Sequence, residues 1–220
     1  MDLTQQFDGY CERVDLTYWA EPVNAITNAA FLIAAFICWR RVRGEGLPIA
    51  MLLIAILTAI GIGSYLFHTH ATGWAALADV APIGLFILVY LFAVGRDFLR
   101  WPWWGALLLT AAFAPFAAIV VPLIDRLPFF SISNFYWTVP ILLVLFAPLV
   151  ARESRSTARG MLIGAAILTI SITLRSVDEI ICEQVPLGSH FLWHILNGVM
   201  LGWMIEVYRR HMVGNARAAG

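Results

Sequence analysis

The chain has 220 residues, 61% hydrophobic and 13% charged, with 14 basic and 14 acidic side chains giving a formal net charge of zero. A soluble domain carries about 45–50% apolar and about 25% charged residues, so the composition excludes a soluble globular protein, and the balanced charge excludes nucleic acid as a partner. All 14 basic residues are arginine; without a lysine amine no retinal Schiff base forms, which excludes a seven-helix light-driven pump.

The first 22 residues are polar and acidic, the reverse of a signal peptide. Seven apolar stretches follow, at about 23–42, 47–68, 75–95, 103–124, 134–151, 157–175 and 188–208. Each is close to the ~20 residues that cross a hydrocarbon core. The predicted fold is therefore all-α, an integral membrane bundle of seven transmembrane helices over residues 23–208. An extracytoplasmic acidic segment (1–22) precedes it and a basic cytoplasmic tail (209–220) follows. Pro82, Pro115, Pro140 and Pro148 fall inside spans, where neighbouring helices satisfy the freed carbonyls. There is no internal repeat, low-complexity tract or domain boundary.

Arginine placement sets the orientation. Arg40, Arg41 and Arg43 follow span one, Arg96 and Arg100 follow span three, Arg152, Arg155 and Arg159 follow span five, and Arg209, Arg210 and Arg217 follow span seven. Arg13, Arg126 and Arg175 lie on the other side. This predicts an extracytoplasmic N-terminus and a cytoplasmic C-terminus, in a bacterial inner membrane or a eukaryotic endomembrane.

Ionisable residues at membrane depth are expensive and mark functional sites. His190 and His194 are four residues apart in the last span, so they share one helix face about 6 Å apart along the axis. That spacing lets two imidazoles share a metal. His68 closes span two on the same side of the membrane and supplies a third ligand. Three protein ligands with an open fourth position is the catalytic zinc pattern. Asp79 opens span three at that depth and suits proton transfer. Ser64, one turn before His68, suits an oxyanion contact or an anchor for Asp79, although serine also bonds its own helix backbone. His70 is expected to face the loop and His211 to sit at the membrane surface. Trp74, Trp137, Tyr18 and Trp19 suit an interfacial aromatic belt.

Asp8, Glu12, Asp15 and Glu21 lie within 14 residues; they suit either a hard cation such as Ca²⁺ or a solvated acidic face. Cys38 is expected to pack within span one. Cys11 and Cys182 fall on the extracytoplasmic side, which favours disulfides. A bridge between them would staple the N-terminal segment to the loop before His190; the alternative is two free thiols.

With these residues in place, the chain resembles the alkaline ceramidases and the wider superfamily of seven-span hydrolases that includes the adiponectin-receptor and Per1 families. The likeness is carried by Gly61-Ile-Gly-Ser64-x-x-Phe67-His68, by Asp79, and by His190-x-x-Trp193-His194. Tyr10-Cys11-Glu12 and Glu21-Pro-Val-Asn24-Ala-Ile-Thr27-Asn28 point to the ceramidase branch. The resemblance implies zinc on His68, His190 and His194, with Asp79 and Ser64 catalytic. It also implies calcium on Glu12, Glu21 and the Tyr10 carbonyl. Here the chain departs from the family pattern, reading Asp8-Gly9-Tyr10-Cys11-Glu12 where members tend to read Asp-Trp-Cys-Glu; Asp8 and Asp15 are the compensating acids. The implied activity is zinc-dependent hydrolysis of a membrane lipid amide, ceramide first, to a sphingoid base and a fatty acid. The rival functions are hydrolysis of another lipid ester or amide, a membrane receptor of the adiponectin-receptor kind, and, more weakly, a transporter.

Overall fold

Among the described residues, six segments are long and apolar enough to cross a membrane: Pro22–Val42, Pro48–His70, Gly73–Phe98, Trp103–Ile124, Asn134–Glu153 and Arg155–Val177. They come from a computed structural model that describes residues 2–7 and 9–219, with side chains described as far as residue 214. In chain order the helices are α1 (Pro22–Thr27), α2 (Ala29–Val42), α3 (Pro48–His70), α4 (Gly73–Ala93), α5 (Trp103–Ala111), α6 (Phe113–Ile124), α7 (Pro128–Ser131), α8 (Asn134–Glu153), α9 (Arg155–Val177) and α10 (His190–Ala219). No strand forms among the described residues; Gln6 and Thr72 make one isolated bridge.

Proline opens α1, α3 and α7, where its missing N–H costs nothing and its fixed φ suits a helix start. The span of α1 and α2 is interrupted at Asn28, whose side chain donates to the Asn24 carbonyl at 2.8 Å. Such local bonds compete with the helical ladder. The span of α5 and α6 is interrupted at Ala112, one turn after which Pro115 removes the N–H that would reach the Ala111 carbonyl. A π-helical turn at Val94–Phe98 ends the α4 span.

The span boundaries read from the sequence therefore agree with the helices to within a few residues for six of them. The last helix, α10, is longer than expected and runs on through the stretch predicted as a separate basic tail. His190, His194, Asn197 and Glu206 make its membrane-length portion more polar than the other six. All four are buried, so they face the bundle.

The long helices pack in sequence order and the last returns to the first: α2 on α3, α3 on α4, α8 on α9, α9 on α10, and α10 on α2, with α5 and α6 bridging α4 to α8. The ring encloses an apolar cleft of about 930 Å³, including its open mouth. Phe86, Tyr90, Leu143, Phe146, Met161 and Met204 line it towards the far end, and Ser64, Asp79, Tyr136 and Trp193 towards the histidine end.

Candidate metal centre

His68, on the last turn of α3, and His190 and His194, on the first turns of α10, offer ligand nitrogens that all lie within 4.8 Å of one another. All three side chains are buried. Among the described residues they form the single group of three or more histidine, cysteine or carboxylate side chains with this geometry.

Each ring is oriented by a neighbour from the N-terminal part of the chain. Nδ1 of His68 bonds Oε2 of Glu21 at 2.6 Å. Nδ1 of His194 bonds Oγ1 of Thr27 at 3.0 Å, and that hydroxyl is also tied to the Val23 carbonyl. The His190 ring stacks on Tyr10 with centroids 3.7 Å apart. Nδ1 of His190 and Nε2 of His194 are buried without a hydrogen-bond partner. A buried polar atom left unpaired costs about 1–3 kcal/mol, and two of them converging in one histidine cluster fit a bound cation. Partners that fix the tautomer and direction of a ligating ring are the usual second layer of a metal site.

The position of His190 depends on a residue that the sequence did not single out. Asp178, after α9, accepts the backbone N–H groups of Ser189 at 2.6 Å, His190 at 2.8 Å and Cys11 at 3.1 Å. It thus satisfies orphan donors at the start of α10. Gly188 lies at φ +66°, and a Cβ there would meet Asp178 Oδ1 at 2.1 Å, so glycine is required for this approach. Cys11 and Cys182 are bridged, as the sequence suggested. Cys38 is buried in α2.

Ser64 and Asp79 meet because α3 and α4 come very close. A Cβ on Gly63 would lie 2.0 Å from the Ala78 carbonyl oxygen; the bare glycine lets the next residues, Ser64 and Asp79, lie near each other across the two helices. Both line the apolar cleft. Arg175, also unassigned by the sequence, lies 5.2 Å over the Tyr136 ring and 5.7 Å over the Trp193 ring and donates to the Ile132 carbonyl and the Ser133 hydroxyl. Burial pushes the Tyr10 phenol above its ordinary value against the pull of Arg175, so it remains a neutral wall of the site. Side-chain pairing across spans was the missing information: neither Asp178 nor Arg175 lies in a recognisable motif, and Thr27, although inside the Glu21–Asn28 string, carries no role that the string itself assigns.

The acidic set expected to hold calcium is not gathered around a common point. Both Glu12 oxygens accept backbone N–H groups at the start of α1, from Val23 at 2.7 Å and Asn24 at 2.8 Å. Asp15 is exposed and accepts from Thr17. Glu21 is buried and accepts from Arg13 at 2.5 Å, His68 and Asn24. Burial pushes its carboxyl up, but the His68 hydrogen bond and the nearby positive charge outweigh burial and leave it below its ordinary value. The Tyr10 carbonyl accepts the Arg13 N–H. Asp8 lies outside the described residues. Among the described residues, the acidic side chains do not form a cation-binding group.

Two further expectations are corrected. His211 is not at the surface: it is buried, with Nδ1 on Thr157 Oγ1 at 2.8 Å and Nε2 on the Asp97 carbonyl at 3.1 Å, because α10 continues as a packed helix. Trp137 is buried against Phe130 instead of joining an interfacial belt. His70, Tyr18, Trp19 and Trp74 are exposed at the histidine end, where His70 touches Tyr18 and Trp74.

Among curated proteins, none matches this chain significantly. A protein-family model described as Ceramidase matches residues 7–217, nearly the whole length. The chain belongs to the ceramidase family.

Proposed function

We propose that this protein is a zinc-dependent amidase of the membrane that hydrolyses the N-acyl bond of ceramide, or of a close long-chain N-acyl lipid, to an amine and a fatty acid. The observation that carries this proposal is a buried histidine triad next to the polar end of a long apolar cleft. Membership of the ceramidase family supports a hydrolase acting on a lipid amide. An apolar cleft with few convergent polar groups suits a ligand that is mostly hydrocarbon.

His68, His190 and His194 would hold the zinc, consistent with the two unpaired ring nitrogens. Bound there, zinc supplies a Lewis acid for the carbonyl and a water acidic enough to attack near neutral pH. Asp79 accepts the proton of the attacking water and returns it to the departing nitrogen, so that one amide and one water become one amine and one carboxylic acid. Ser64, beside Asp79 on the cleft wall, orients the carboxylate or stabilises the developing oxyanion. Tyr10, packed on His190, excludes bulk water from the N-terminal side. The cleft walls hold the acyl chain in register with the reacting carbon.

The α10 helix is the seventh span in this proposal, its polar side chains turned inward. The N-terminal segment 1–22 is extracytoplasmic and the last turns of α10 are cytoplasmic, from the arginine distribution. Reporter fusions to the two termini test the orientation.

The deciding experiment incubates purified, zinc-loaded protein with ceramides of several chain lengths and measures released fatty acid. Release should stop with a chelator, return with zinc, and be absent in His190→Ala/His194→Ala, which should also lose its zinc. Release from phospholipid or glycolipid esters instead of ceramide would make the protein a lipid esterase. No hydrolysis of any lipid by the zinc-loaded protein would favour a receptor.

A further inference from the structure

We infer that Arg13 is a built-in cation at the rim of the metal centre, taking the place that the family resemblance gives to calcium, and that it positions His68 through Glu21. The inference deepens the proposed zinc site and rests on it for the second half only.

Arg13 is 6% exposed and Glu21 is 2% exposed, so neither charge is in solvent. The guanidinium spends all three of its nitrogens on oxygens: Nε on Glu21 Oε1 at 2.5 Å, Nη1 on the Asp15 carbonyl at 3.1 Å, and Nη2 on the His68 carbonyl at 3.0 Å. A carboxylate and two backbone carbonyls are the hard-oxygen donors that calcium also selects. Here they converge on a guanidinium cation instead.

The carboxylate oxygens of Glu12 and Glu21 are equally committed. Both Glu12 oxygens cap α1, and Glu21 Oε2 takes N–H groups from His68 and Asn24. Calcium needs six to eight oxygen ligands. Admitting it would expel the guanidinium, uncover the start of α1, and set a divalent charge where a buried monovalent one already sits. The fixed charge has a second effect. The His68 carbonyl belongs to the final turn of α3, whose last carbonyls have no helical partner, and a cation there is favoured by the helix dipole. Arg13 therefore holds the residue that carries the ligand by its backbone, and through Glu21 by its ring. The relay Arg13–Glu21–His68 Nδ1 leaves Nε2 of His68 for the metal.

The test uses the full-length protein, stripped of metals and reloaded with zinc alone. Adding millimolar calcium should give no heat of binding and no change in melting temperature. Uptake of a calcium ion with a rise in melting temperature would overturn the inference. In the second arm, Arg13→Gln should bind zinc about 10–100-fold more weakly, the usual loss when a ligand's orienting partner is removed, measured by competition with a chromophoric chelator. Arg13→Lys, which keeps the charge, should recover part of that affinity. Wild-type zinc affinity in Arg13→Gln would remove the positioning role. If Arg13→Gln does not fold, Arg13→Lys against wild type still reads the relay, because a lysine cannot make all three contacts. The calcium arm needs no turnover, so its outcome is separate from that of ceramide hydrolysis.

Discussion

Tyr10 lies flat against His190, their ring centroids 3.7 Å apart and their planes 25° from parallel. The N-terminal segment is thereby part of the wall of the metal centre, although 180 positions separate the two residues. Three attachments hold it there: the Cys11–Cys182 bridge, the Asp178 carboxylate bonded to the Cys11 N–H, and the Arg13–Glu21 pair.

Cutting one attachment should loosen this wall. Cys11→Ser/Cys182→Ser is expected to lower stability by about 2–4 kcal/mol, since the bridge restricts the unfolded chain over a long loop. Zinc should also exchange faster, because the Tyr10 ring no longer shields His190. Melting curves and zinc release to a chelator measure both effects; wild-type values for the two would assign the bridge no role at the site.

Asp79 and Ser64 separate chemistry from packing. Asp79→Asn should reduce turnover about 10²–10⁴-fold, the contribution of a placed acid–base group, with zinc content unchanged. Loss of zinc in that variant would make Asp79 a ligand instead. Gly63→Ala probes the same pair indirectly. Its methyl would press on the Ala78 carbonyl, costing about 1–3 kcal/mol by overpacking and drawing Ser64 away from Asp79, so kcat should fall without a change in zinc content.

The acid side of the stability profile should report Glu21. Its carboxyl is held below its ordinary value of 4.5, so the carboxylate's contribution is fully present above that value and is lost as pH falls through the lower folded value. Melting temperature should therefore be level near neutrality and fall in acid, with a shallower acid slope in Glu21→Gln. Equal slopes would show that another group controls acid unfolding. Zinc occupancy should also fall in acid, because ligating histidines must be neutral.

Chain length should be read by the far end of the cleft. Val94 is buried there and lines the cavity with Leu91 and Met204. Val94→Phe shortens the space, and release from long-chain N-acyl lipids should drop about tenfold or more while short chains keep their rate. A uniform loss over all chain lengths would mean that the acyl chain lies elsewhere.

The sequence by itself determined the fold class and most of the centre. Near-continuous apolar runs of membrane length leave the helix as the main way to satisfy the backbone in lipid, so the span limits were legible from hydropathy alone. The i,i+4 pair His190 and His194 is a property of one helix, and His68 matched it in depth because α3 and α10 both present that end to the same side. Helical period does not report which side chains cross between spans. Tertiary structure alone decided that Glu21 and Thr27 orient His68 and His194, that Asp178 holds the start of α10, and that Gly63 brings Ser64 to Asp79. It also decided the fate of the acidic segment. Glu12, Asp15 and Glu21 read as a cation site because sequence gives their charge and spacing, but Arg13 stands among them, and only packing could place its guanidinium on the oxygens that a calcium ion would need.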